Sequence, residues 1–213
     1  MGCMVAAELA SEGHDVAVAL SPDRPAPQAQ NLSPFVLNQD APDLEAAIRA
    51  LLRDVGPFDT VILAQSAPQA VCAVGELGST VWAQALRRNS TLAFLLAREA
   101  VGVLQQATTP RMIFLMPEQV RGMPEAGKAA YLASTAPLVG LVRTFALELA
   151  GNGMTVNAVA CEFPDAEARD RETVTKNPPN SRDIARAISF LIAPASSFIN
   201  GQTLDVNGGR SMQ

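Results

Sequence analysis

The chain has 213 residues, of which 48% are hydrophobic, 17% charged and 5% aromatic, a length and balance that fit one globular domain spanning residues 1–213. Its 16 Lys+Arg and 21 Asp+Glu leave a net charge of −5, and no basic cluster exceeds the pair Arg87-Arg88, which excludes a groove that neutralises nucleic-acid phosphates. No apolar run reaches the roughly 18 residues of a membrane-spanning helix, and Met1 is not followed by a basic and then an apolar stretch, so a cytoplasmic protein without membrane contact is expected.

Charge below the roughly 25% usual for soluble domains, with a mean hydropathy of +0.15, means either a large core or a surface partly covered by a partner. Cys3, Cys72 and Cys161 are odd in number, far apart and without a C-x-x-C pair. Neither a disulfide framework nor a structural metal site is expected from them. The single histidine, His14, lies in the turn Gly13-His14-Asp15 and reads as a surface residue.

Taken in chain order, segments of helical periodicity alternate with short β-branched runs, the pattern of a parallel sheet wrapped by helices. Residues 2 to 12 read as a helix ended by Gly13, and Asp15 to Leu20 as a buried strand. Ser21 to Pro34 contains four prolines and cannot hold a regular helix. Phe35 to Asn38 is a short strand, Leu44 to Arg53 a helix and Thr60 to Ala64 a strand. A long apolar helix covers Val81 to Gln106, followed by the strand Met112 to Met116, a helix from Ala129 to Leu149 and the strand Thr155 to Ala160. Cys161 to Arg182 is polar and irregular, Ile184 to Ile192 helical, and Thr203 to Val206 the closing strand before Asn207-Gly208-Gly209.

Several of these stretches resemble the short-chain dehydrogenase/reductase family over almost the whole chain. Asn200 to Gly209, NGQTLDVNGG, preceded by Asp183 to Ile199, is similar to that family's C-terminal helix, strand and diglycine, and is the most specific match. Trp82 with Asn89 seven residues on resembles the helix of the active-site asparagine, and Ala129 to Ala160 resembles the helix of the catalytic tyrosine, here Tyr131, with its following strand. Asp40 matches an aspartate that sits near the adenine in the family. The resemblance, in particular to 3-oxoacyl-thioester reductases, implies an α/β, Rossmann-like, three-layer doubly wound parallel sheet. It also implies NAD or NADP across the carboxyl ends of the strands, and carbonyl reduction or alcohol oxidation in active members.

Against that pattern the chemistry is depleted. Gly2 stands where the last glycine of the family's TGxxxGxG turn would be, so the sheet is expected to be truncated at its N-terminus, lacking the first strand and glycine-rich loop that hold a pyrophosphate. Asp23 and Arg24 lie near the ribose-reading position but in the proline-rich loop, and the family's NNAG is Ala64-Gln65-Ser66-Ala67, without its glycine. Four residues after Tyr131, on the same helix face, the family places a lysine that lowers the phenol's pKa from about 10. That position is Thr135, and Lys128 is not expected to substitute. Thirteen residues before Tyr131, where a serine would polarise the substrate oxygen, stands Glu118, and no serine or threonine lies between Arg111 and Ala130. A carboxylate there would repel a developing oxyanion. The family's proline-glycine is Cys161-Glu162, and the lid after it is expected to be lost.

The expected function is therefore a non-catalytic subunit. Asn89 and Tyr131 are relics of a catalytic set whose other positions are Glu118 and Thr135; Gly2 and Asp40 are relics of cofactor binding. This chain is expected to bind no cofactor. NAD or NADP would be held by a homologous active subunit, an alcohol or hydroxyacyl-thioester dehydrogenase, met through helices 81–106 and 129–150 and the segment 183–209. The apolar arcs of Leu92 to Leu104 and Leu138 to Ala150 exceed a single core-facing stripe; burial on two sides inside the monomer would produce the same pattern. Two alternatives stand beside this reading: a divergent active oxidoreductase whose start lies upstream, and a small-ligand or redox sensor built on the same fold.

Overall fold

The structure, a computed structural model, describes residues 2–64, 71–161 and 180–211. It opens with helix α1 (Gly2–Ser11), strands β1 (Val16–Leu20) and β2 (Leu32–Val36), helix α2 (Leu44–Val55) and strand β3 (Thr60–Leu63). Helices α3 (Ser79–Leu86) and α4 (Leu92–Leu104) lead to β4 (Arg111–Pro117), and α5 (Ala129–Thr135) and α6 (Pro137–Leu149) lead to β5 (Thr155–Cys161). Helix α7 (Ser181–Ile192) and strand β6 (Thr203–Val206) complete the order. Among the described residues all the ladders are parallel: β1 with β2, and β3-β4-β5-β6 in sequence. Parallel neighbours need long crossovers, and helices supply them across the four-stranded sheet.

Alternation along the strands sorts the core into two faces. Met112, Phe114 and Met116 of β4 join Val156, Ala158 and Ala160 of β5 in packing on α4 and α6, through Ala97, Ala100, Leu104, Leu138 and Val142. Ile113, Leu115, Val159 and Cys161 face the other way, onto Val5 and Leu9 of α1 and Ile184, Ile188 and Leu191 of α7. Such period-2 burial on both faces, with every residue of β4 and β5 buried, makes the three-layer, doubly wound arrangement. A third cluster joins Ile48 and Leu51 of α2 to Leu92 of α4. The wide apolar arc of α4 is thus partly met inside the chain, by the sheet on one side and α2 on another, while Phe94 on α4 and Leu147 on α6 remain exposed.

Local chemistry explains three of the helix ends. Gly13, at φ 96°, takes the left-handed conformation that closes α1, and the amide of His14 returns to the carbonyl of Leu9 at 3.2 Å. Asp43 caps α2 by accepting from the amide of Ala46 at 2.9 Å, and Asn180 caps α7 from the amide of Asp183 at 2.9 Å.

Five expectations need correction. Strand β2 lies at Leu32–Val36 rather than Phe35 to Asn38, and so includes Pro34; among the described residues its only ladder partner is β1, and an edge position tolerates a missing N–H. Strand β1 is not a buried strand, since only Leu20 is buried; its pairing to β2 alone leaves the remainder half-covered or exposed. The long helix expected over 81–106 is interrupted by a π-helical turn at Arg87–Thr91, and the one expected over 129–149 divides at Ala136, just before Pro137. Finally, the helical run Ala129–Asn152 spans 24 residues with hydropathy 1.3, so one stretch does reach the length and apolarity of a membrane span. Its Leu138, Val142 and Ala146 pack on β4 and β5, as a core helix does.

Candidate active-site region

The carboxyl ends of three strands lie side by side, Pro117 of β4 in register with Cys161 of β5, and Cys161 with Val206 of β6. Open α/β sheets take their ligands at these ends. From Pro117 the chain enters a 3-10 turn, Glu118–Val120, and α5 packs against it.

Glu118 is 3% exposed, and a carboxylate so buried needs an opposite charge. Arg210 supplies it, with Nη1 3.0 Å from Glu118 Oε1 and Nη2 3.7 Å from Glu125 Oε1. Glu125 also meets Lys128 Nζ at 2.7 Å and accepts from Gln119 Nε2 at 3.2 Å. Lys128 is therefore engaged with a carboxylate at the start of α5. Burial, and then the charge of Glu118, push the Cys161 thiol up to about 12. Cys161 consequently sits at the end of β5 as a neutral, fully buried thiol.

Tyr131, in the first turn of α5, is 7% exposed. One turn on, Thr135 is fully buried, and its hydroxyl donates to the carbonyls of Tyr131 at 2.9 Å and Leu132 at 3.2 Å. That bond is internal to the helix, and it brings no positive charge to the phenol. Asn89 lies in the π-helical turn and is fully buried. Its Nδ2 donates to Ser134 Oγ at 2.8 Å, and Ser134 Oγ donates in turn to the Tyr131 carbonyl at 2.9 Å. Ser90 Oγ also donates to the Ser134 carbonyl. Asn89 and Tyr131 are thus brought together, through Ser134.

The residues read as cofactor relics stay apart. Gly2 opens α1 against the end of β3; a Cβ placed on it would lie 3.1 Å from Ala64 Cβ, so a larger residue would push Ala64 back by a few tenths of an ångström. Asp23 accepts from Ser21 Oγ at 2.6 Å in an exposed turn, and that bond holds its carboxyl below the usual range. Arg24 is exposed in the same turn. Asp40 lies in the loop before α2, exposed, 3.9 Å from Arg88 Nη2, with its amide donating to Asn38 Oδ1. Residues 65–67 of the Ala64 to Ala67 stretch, Glu162 and the expected site of the lost lid, residues 162–179, lie outside the described residues.

Sequence reasoning missed Arg210, Arg121 and Ser134. Arg121 Nη1 donates to the Thr203 carbonyl at 2.9 Å, and the same nitrogen lies 3.2 Å from Asp205 Oδ2. Arg210 directly follows the diglycine, but nothing local in the sequence ties it to Glu118.

Residues 1–211 match the family profile described as enoyl-(acyl carrier protein) reductase. The 3-oxoacyl-[acyl-carrier-protein] reductase FabG of Rickettsia bellii (strain RML369-C) is 38% identical over 141 residues, covering 61% of this chain and 58% of that protein. With the Rickettsia felis protein the match covers 54% of its length, so the chain spans little more than half of these curated relatives. The FabG reductase of Staphylococcus aureus (strain Mu50 / ATCC 700699) is 27% identical over 100% of this chain and 94% of its own length. Among solved structures, acetoin dehydrogenase YohF from Salmonella typhimurium superposes with a TM-score of 0.83 over 97% of this chain and 90% of its own, at 24% identity, a likeness of fold.

Proposed function

Because the chain belongs to the short-chain dehydrogenase/reductase family, we propose that it is a non-catalytic subunit that pairs with and stabilises an active NAD(P)-dependent homologue. The observation that carries this reading is what surrounds Tyr131. Carbonyl reduction needs a proton donor of adjusted pKa and hydrogen-bond donors facing the oxyanion. Thr135, one turn from Tyr131, has its hydroxyl on its own helix. Glu118 is an acceptor, ion-paired to Arg210. Neither side chain can take the part that the family resemblance assigns to its position.

The surroundings of the cofactor positions favour a chain that holds no dinucleotide of its own. Gly2 is pressed to Ala64, Asp23 and Arg24 occupy a solvated turn, and Asp40 faces Arg88 at the surface. NAD or NADP belongs to the partner subunit.

The partner surface is formed by helices 81–106 and 129–150 and the segment 183–209. Trp82, Phe94, Leu147, Phe190, Phe198 and Leu204 are exposed within these segments, and covering large apolar side chains on association is favourable. Relatives named as 3-oxoacyl-[acyl-carrier-protein] reductases favour a partner acting on hydroxyacyl or oxoacyl thioesters in the cytoplasm. Co-expression with an intact dehydrogenase from the same source should yield a heteromer; separate homomers would overturn the reading. Calorimetry of the isolated chain should show no binding of NAD or NADP. Binding accompanied by turnover would establish a divergent oxidoreductase instead.

A further inference from the structure

The last described residues, Asn207–Ser211, lie folded against the turn that carries Glu118. Gly208 and Gly209 both take positive φ, 62° and 81°, which turns the chain back after β6. Asn207 is buried and holds the turn together, its Oδ1 accepting from the Gly209 amide at 3.0 Å and its Nδ2 donating to Ser211 Oγ at 2.9 Å and to the Ser211 carbonyl at 3.1 Å. The turn meets its neighbour at Gly122, where an added Cβ would lie 2.9 Å from Ser211 Oγ and 3.4 Å from the Glu118 carbonyl. Two arginines then cross between the segments in opposite directions. Arg210 reaches from the tail to Glu118 and Glu125, and Arg121 reaches from the turn back to Thr203 and Asp205 on β6.

We propose that Asn207–Ser211 form a strap, fastened by Arg210 on Glu118, which closes the carboxyl ends of β4 and β6 and must open before a small molecule reaches Glu118. The strap is independent of whether the chain turns over a substrate. Close packing at Gly122 and the cross-pairing of Arg121 couple the two segments, so the tail and the Glu118–Gly122 turn are released together. Arg210 is the positioning residue of this closure. Cys161 lies in register between Pro117 and Val206, the residues from which the turn and the strap depart, and so reports on access.

The test is hydrogen exchange in the full chain, comparing Arg210→Ala with the parent. Exchange in 118–122 and 203–211 should quicken together by about tenfold or more, with α2 unchanged. Quickening confined to 207–211, or none, would overturn the strap. Should Arg210→Ala fail to fold, the pair Glu118→Gln with Arg210→Met removes both charges without leaving one buried alone. It should fold with both segments fast; protection retained would overturn the proposal. In a Cys3→Ser, Cys72→Ser background, either strap variant should also raise Cys161 alkylation about tenfold above Ile48→Ala, whose lost contacts lie in the separate α2 cluster. Equal rates, compared at matched stability, would show general loosening instead and overturn the closure.

Discussion

The hydroxyl of Thr135 donates to the carbonyl of Tyr131, 2.9 Å away in the preceding turn of the same helix, at a position with no solvent exposure. Such a back-bond contributes little, because the carbonyl keeps its helical role. Thr135→Val should therefore cost less than about 1 kcal/mol in urea unfolding. Thr135→Lys would bury an ammonium group and should cost about 3 kcal/mol or more. It should also produce no oxidation of NADPH with an oxoacyl thioester, because Glu118 and the cofactor side are unchanged. Activity regained by that single change would contradict the account of the site.

Asn89 and Ser134 join the π-helical turn to α5 by a fully buried hydrogen bond of 2.8 Å. Asn89→Ala leaves Ser134 Oγ without this donor and should cost about 1–3 kcal/mol. In a double-mutant cycle with Ser134→Ala, the two losses should fall short of additivity by about 1 kcal/mol. Strict additivity would show that the pair does not couple the two helices.

Cys161 gives a pH dependence of defined sign. Its thiol rises from 9.0 to about 12 on folding, so the unfolded chain ionises first. The contribution is fully present below about pH 9 and is lost as pH rises toward 12, at no more than about 1.4 kcal/mol per pH unit. The stability difference between the parent and Cys161→Ala should shrink over that window. A difference independent of pH would show that the thiol does not ionise later in the folded chain.

Phe198 and Leu147 are the most exposed large apolar side chains of the proposed partner surface, at 102% and 82%. Phe198→Glu and Leu147→Glu break no core contact and should change the stability of the isolated chain by less than about 0.5 kcal/mol. Both should reduce recovery of the heteromer on co-purification. Unchanged recovery from both variants would move the interface elsewhere.

The fold was legible because β4 and β5 are runs buried on both faces, bounded by helices whose caps and glycines show in the sequence. Strand β2 was misplaced because an edge position relieves Pro34 of the usual penalty, a tertiary circumstance that local propensity does not contain. The interruption at Arg87–Thr91 was equally hidden, since that run, RRNST, holds no proline or glycine to mark a break. At the site, Glu118 and Thr135 stood out as residue types foreign to the family pattern. Their partners did not. Arg210 lies 92 positions from Glu118, and Ser134 lies 45 from Asn89, so those contacts exist only once the sheet has brought the segments together.

The most direct measurement is the mass and composition of the native complex purified through a tag on this chain. The account predicts a second, homologous dehydrogenase polypeptide in fixed ratio, with all NAD or NADP binding following that partner. A homomer of this chain that alone binds and oxidises NADPH with an oxoacyl thioester would contradict it.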